Sequence, residues 1–254
     1  MDLERHLCAL DSEGVLLAGA CERAGLEAPV PTCPGWKVEE LLRHVGYVHR
    51  WAAAHVSQAS PCLLEDLSEQ EVLARGPDTD ELLAWFRDGH ASLTRTLRSA
   101  DAGLSCWTFL DAPTPLAFWA RRQAHETAIH RADAESALGE ITSFDPGFAS
   151  DGIDELLIGF APRERHATPV GDPCTFAICA SDTHDDWLVT FGHETTTSRG
   201  DDRGDDRADC RVAGYASDLY LALWNRTARD GRISVTGDPR GLDRWRATMK
   251  VEWT

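Results

Sequence analysis

Glu126 and His130 stand four residues apart in the stretch Arg122-Gln123-Ala124-His125-Glu126-Thr127-Ala128-Ile129-His130. On a helix, residues at that spacing share one face, one above the other. A carboxylate and an imidazole held in this way offer two ligands of the oxygen/nitrogen set that zinc accepts. A third must come from elsewhere, and His44, in Leu41-Leu42-Arg43-His44-Val45, is the candidate. It adjoins the apolar side of its own predicted helix and can point inward. Helices of a bundle pack about 8–10 Å apart, so side chains from two of them can meet at one ion, with bonds of about 2.0–2.2 Å. Three protein ligands leave a fourth position open, the arrangement of catalytic rather than structural zinc.

The residues leave alternatives open. A buried histidine is more often a hydrogen-bonded core residue than a ligand, and Glu–His pairs four apart are common on exposed helices. His49, His55 and His125 compete for the same role. His125 adjoins Glu126 and so points about 100° away around the helix; if it binds an ion, Glu126 does not. The same ligand set also accepts nickel or iron.

The elements that must position these groups read as helices through the first part of the chain. Residues 2–25 carry Leu3, Leu7, Leu10, Val15, Leu17 and Ala18 at helical spacing, up to Gly25. Val30-Pro31-Thr32-Cys33-Pro34-Gly35-Trp36 breaks the pattern, because two prolines and a glycine cannot continue a helix. Helices are then expected over 38–58, 79–98 and 115–138. The last has proline in its first turn and Gly139 beyond its end. Four helices joined by loops suggest a bundle, whose facing helices commonly carry metal sites.

After Gly139 the pattern changes. Residues 145–161 suit one connecting helix. Strands are expected at 175–180, 187–191, 194–199, 209–212 and 232–236, with helices over 216–226 and 239–250. The expected organisation is a helical domain over 1–140, a connector over 141–171 and a smaller α+β domain with an antiparallel sheet over 172–254. The charged repeat from Arg199 to Arg207 lacks the spacing of a calcium loop and reads as a solvated hairpin tip.

Composition narrows the function classes. The 254 residues carry a formal charge of −17 with no basic cluster, which argues against binding a phosphate backbone. Lys37 and Lys250 are the only lysines. No run approaches the roughly 20 apolar residues that span a bilayer, and the N-terminus lacks the pattern of a secretory signal. A cytoplasmic protein, monomeric or weakly dimeric, is expected. The eight cysteines are scattered, with neither a C-x-x-C pair nor a disulfide framework. Most should be small buried hydrophobes; Cys33 stands apart in its Pro/Gly loop.

Pro31-Thr32-Cys33-Pro34-Gly35-Trp36 with Leu41-Leu42-Arg43-His44-Val45, together with Ala124-His125-Glu126-Thr127-Ala128-Ile129-His130-Arg131-Ala132-Asp133, resembles the actinobacterial mycothiol-dependent maleylpyruvate isomerase family. Asp218–Arg226 and Val235-Thr-Gly-Asp-Pro resemble its second domain. The resemblance implies a DinB-like four-helix bundle followed by an α+β domain similar to sterol-carrier folds. It implies zinc on His44, Glu126 and His130, and a low-molecular-weight thiol, mycothiol, as cosubstrate. It implies an arginine of the second domain near the active site, matched here to Arg226, and a pocket rimmed by Thr32, Cys33 and Trp36. The simpler reading of Trp36 is a staple that anchors the start of the second helix. In the isomerase, the thiolate adds to the double bond of maleylpyruvate, the bond rotates, and the thiolate leaves. A thiol S-transferase would use the same residues but keep the thiol attached to its small electrophile. A non-enzymatic carrier of apolar ligands is the alternative that needs no metal.

Overall fold

The computed structural model describes residues 1–64, 72, 76–163, 173–192, 194–200, 208–226 and 231–249. The chain forms two compact units, Met1–Thr142 and Ser143–Thr254.

The first unit is built from α1 (Leu3–Ala24), α2 (Val38–Ser57), α3 (Leu82–Ser99) and α4 (Pro115–Ser136). The starts follow from local chemistry. The Asp2 carboxylate accepts the Arg5 amide, and the Thr114 hydroxyl accepts the Ala117 amide, each satisfying a donor that the first turn leaves open. Pro115 sits where no amide is needed. Gly25, at φ 80°, ends α1 in a conformation that a side chain would resist.

Contacts along the helices fix their directions. Arg131 reaches Glu13 and the His125 ring lies beside His6, so α1 and α4 run parallel. His44 faces Glu126 while Trp51 meets Trp119, so α2 runs antiparallel to α4. Gly46 lies against Trp85 and Gly89 against Arg50, so α2 and α3 run parallel. Gly14 matters to this packing. A Cβ there would stand 2.2 Å from His90 Nε2, and the bare backbone lets His90 reach the Leu10 carbonyl at 3.0 Å.

The apolar faces of α1, α2 and α3 close over Leu17, Leu41, Leu42, Val45, Leu82 and Phe86. The loop before α2 is tied down by Val30 N–H donating to the Trp36 carbonyl at 2.9 Å, and the half-buried Cys33 and Trp36 pack on the same core.

The second unit contains a five-stranded sheet in the order β3-β2-β1-β4-β5. Its strands are β1 (Cys174–Ala180), β2 (Asp185–Phe191), β3 (Thr196–Arg199), β4 (Cys210–Gly214) and β5 (Ser234–Gly237). Three pairings are antiparallel as expected, but β1 and β4 pair parallel, so the sheet is mixed. Alternation of side chains gives a strand its faces and not the direction of its neighbour, which is why the sequence did not disclose this pairing. β1 is central and buried over its last five residues. Trp245 of α7 (Arg240–Thr248) stacks on Phe176 with centroids 6.1 Å apart and donates its indole N–H to the Leu223 carbonyl.

The expected connecting helix is α5 (Pro146–Asp154), continued by a π-turn segment over Glu155–Phe160. It is part of the second unit's core, because Phe148 and Ile153 are buried and Phe148 meets Tyr220 of α6 (Ala216–Leu223). Helix α6 stops at Leu223, three residues short of the expected end, and Asn225 follows at φ 59°. The charged repeat lies, from residue 201 to 207, outside the described residues, as does Lys250. Among the described residues, no helix is long and apolar enough to cross a membrane.

Candidate metal centre

Helix α4 is unusual in that polar and charged residues are buried nearly all the way round it. Burying a polar group without a partner is costly, so each such residue has to be accounted for.

On one face stand Arg122, Glu126, His130 and Asp133, spaced by four, four and three residues. His44 of α2 looks onto them. His130 Nε2 lies 3.2 Å and His44 Nε2 3.7 Å from the same oxygen, Glu126 Oε1. The two rings meet edge to face with centroids 5.2 Å apart. One ligand atom from each of the three residues falls within 4.8 Å of the others, and all three side chains are buried.

The groups behind this cluster decide which atoms face it. Asp133 Oδ2 is 2.9 Å from His130 Nδ1 and takes that N–H, which orients the ring so that Nε2 faces Glu126 and His44. The other Asp133 oxygen accepts the Thr32 hydroxyl at 2.6 Å. Arg122 Nη2 donates to Glu126 Oε2 at 3.1 Å, leaving Oε1 turned to the histidines. Burial alone would push the Glu126 carboxyl upward. Hydrogen bonds donated by His130 and His44, then the charges of His130 and Arg122, overcome that cost and hold it well below the usual carboxylate range; a bound cation would take the place of those ring protons. Glu126 therefore stays anionic at neutral pH. Two imidazole lone pairs and one carboxylate oxygen at these separations fit a divalent cation of the zinc type.

Two of the competing histidines, His49 and His55, are committed elsewhere. His49 Nε2 meets the Thr127 hydroxyl at 2.9 Å; that hydroxyl donates to the Gln123 carbonyl, so His49 is the donor. His55 donates from Nδ1 to the Trp51 carbonyl and accepts the Leu64 amide at Nε2. His125, turned away from Glu126, lies beside the His6 ring.

The loop residues fall into different roles. Thr32 bonds Asp133 and also sits 3.1 Å from the Ser136 hydroxyl, tying the loop to α4 behind His130. Trp36 lies edge-on to the His44 ring, with centroids 5.2 Å apart. Cys33 is half-buried, in no disulfide, and packs on the core. Arg226 belongs to the second unit, where it follows α6 and donates to the Trp224 carbonyl at 2.8 Å. None of the eight cysteines forms a disulfide; only Cys21, Cys179 and Cys210 are buried, and Cys8 and Cys62 are exposed, so the expectation that most would be small buried hydrophobes is not met. Arg122 and Asp133 were missed as site residues by reasoning from the sequence. Their signal was present, since they extend the Glu126/His130 spacing by one turn in each direction.

Comparison with known proteins places the chain in a family. Residues 7–135 match the family profile of the mycothiol maleylpyruvate isomerase N-terminal domain, and residues 148–244 match that of the same family's C-terminal domain. A comparison with curated proteins gives no match. Among solved structures, the chain is similar to the crystal structure of the mycothiol-dependent maleylpyruvate isomerase, with a TM-score of 0.63 and 13% identity over 93% of each chain. A histidine-to-alanine mutant of that isomerase matches equally well, at TM-score 0.63 and 13% identity over the same share of both chains. At this identity the structural likeness speaks for the fold, while the profiles cover most of the sequence. The chain belongs to the mycothiol maleylpyruvate isomerase family.

Proposed function

We propose that this protein is a metal- and mycothiol-dependent isomerase that acts on a small conjugated electrophile, with zinc held by His44, Glu126 and His130. The observation that carries the reading is the convergence of His44 Nε2, His130 Nε2 and Glu126 Oε1 within 4.8 Å in a buried site. Zinc at such a site binds a thiol as its anion and so makes thiolate available near neutral pH. The rest is work for the chain's own side chains. Asp133 holds His130 in one tautomer, and Thr32 holds Asp133. Trp36 covers an edge of His44 and limits water there. The reaction class is reversible addition of thiolate to a conjugated double bond. Carbon–sulfur bond formation leaves a single bond that rotates; expulsion of the same thiolate restores the double bond in the trans geometry. We place Arg226 as the cation for a substrate carboxylate, and Thr32, Cys33 and Trp36 at the rim of the thiol pocket.

Metal analysis of the purified protein, with His44→Ala and His130→Ala in parallel, tests this. About one zinc per chain, lost from both variants, is expected. Wild type given zinc and mycothiol should convert maleylpyruvate and return the thiol unchanged. A stable thiol conjugate would instead make it an S-transferase. A wild type that takes up no metal would overturn the reading.

A further inference from the structure

Resting on the metal reading above, we infer that the loop over residues 30–36 is a strap whose closure is coupled to the metal site. Thr32 joins it through Asp133 to His130, so coordination of His130 holds the loop shut, and the closed loop in turn strengthens metal binding.

The loop is braced within itself. Val30 N–H donates to the Trp36 carbonyl at 2.9 Å, Cys33 N–H to the Val30 carbonyl at 3.0 Å, and Trp36 N–H to the Cys33 carbonyl at 3.0 Å. Pro29 and Lys37 pair at its base. A compact loop with its ends drawn together moves as one piece. It meets the site at two points. The Thr32 hydroxyl donates to Asp133 Oδ1 at 2.6 Å, and the other Asp133 oxygen stands 2.9 Å from His130 Nδ1. Trp36 lies edge-on to the His44 ring, with centroids 5.2 Å apart. One loop therefore touches the support of the histidine on α4 and the ring of the histidine on α2. Asp133 is buried and Thr32 half-buried, so the hydroxyl bond forms away from most of the competing water.

The coupling runs in both directions. In the structure His130 Nε2 meets Glu126 Oε1 at 3.2 Å, a hydrogen bond to a side chain that can itself move. With Nε2 coordinated instead, the ring is pinned, and Asp133 and Thr32 rest on a fixed group. Further contacts of Asp133 leave this intact, because the coupling requires only that the two bonds named here share one carboxylate. By linkage, the factor by which metal favours the closed loop is the factor by which the closed loop favours metal. One buried hydrogen bond sets its scale, a factor of about five.

The test is the rate at which iodoacetamide alkylates Cys33 in the full chain, with and without equimolar zinc, read peptide by peptide by mass spectrometry. Cys33 is half-buried in the loop, and the exposed Cys8 and Cys62 serve as internal controls. Zinc should slow Cys33 about fivefold and leave Cys8 and Cys62 unchanged. Thr32→Val keeps the shape of the side chain and removes the hydroxyl. Cys33 should then react at one rate with or without zinc, and zinc affinity, read with a chromophoric chelator, should fall by up to the same factor. Thr32→Ser keeps the hydroxyl and should restore both. A zinc effect on Cys33 that persists in Thr32→Val would overturn the inference, since the ion would then shield the thiol without the Thr32 link. Wild type that binds zinc with no change at Cys33 would overturn it too, however the variants fold. Wild type that takes up no zinc would instead remove the metal reading itself.

Discussion

Helix α4 carries two buried ionic clusters on different faces, and they are finished to different degrees. On one, Arg131 donates to Glu13 at 2.8 Å, to Glu135 at 2.6 Å and to the Thr142 carbonyl at 2.7 Å. Glu135 in turn accepts the amide and hydroxyl of Thr142. Donors and acceptors there answer one another, and the result is a clasp that holds the chain after α4 against α1 and α4. On the other face, Glu126, His44 and His130 direct three electron-pair donors at one point, and the proton-bearing groups, Arg122 and the Thr32 hydroxyl, stand behind them. Equal burial and equal charge content therefore do not distinguish structure from function. Under the proposed metal site, the convergence of the three ligand atoms does.

That contrast can be broken most forcefully at Arg131. Replacing it with methionine removes the cation and leaves the partly buried Glu13 and the buried Glu135 without it, with Glu13 already pushed upward by burial. A loss of about 3–5 kcal/mol in unfolding free energy is expected, measured by urea denaturation. Folded protein at low urea should still bind its metal. If Arg131→Met instead empties the site while the bundle stays folded, the two clusters are one functional unit and the distinction fails.

A smaller effect is expected at Asp133. Asp133→Asn keeps the size of the side chain and removes the charge that fixes the His130 tautomer. Zinc affinity should fall about 10–100-fold, as read by competition with a chromophoric chelator, with little change in the melting temperature. Unchanged affinity with lowered stability would assign Asp133 to the fold rather than the site.

The ease of reading these faces from sequence differs in the same way. Helices α1, α2 and α3 announced themselves by apolar residues at helical spacing, because each buries one face and exposes the other. Helix α4 lacks that stripe: beside Trp119, Ala124, Ala128 and Ile129 it buries Arg122, Gln123, Glu126, His130 and Arg131, residue types that a periodicity argument assigns to solvent. It was legible through its end signals, Pro115 and Gly139, and through the Glu126/His130 pair. Extending that spacing back to Arg122 and on to Asp133 would have recovered the supporting groups. His44 was reachable because it adjoins Leu41, Leu42 and Val45, which had to be inside. The parallel β1–β4 pairing in the second unit was not reachable, since nothing within either strand records the direction of its neighbour.

The mildest expected effect sharpens the comparison with a buried polar group that belongs to neither cluster. His49 is fully buried, and burial first, then the neighbouring His90, holds its pKa well below 6.5. Burial likewise lowers His55. Both are neutral in the native protein, while in the unfolded chain each takes up a proton as pH falls through about 6.5. Below that point the unfolded state binds more protons, so stability is complete above pH 6.5 and declines as the solution is made more acidic. Each histidine contributes a slope of up to about 1.4 kcal/mol per pH unit until its own native pKa is reached. Denaturation in the presence of a chelator, between about pH 7 and pH 5, measures it. The slope should shrink in His49→Gln, whose amide can still donate to Thr127, and should persist in His130→Ala. The reverse pattern would place the acid sensitivity in the donor cluster and would mean that His49 is not held as a neutral core residue.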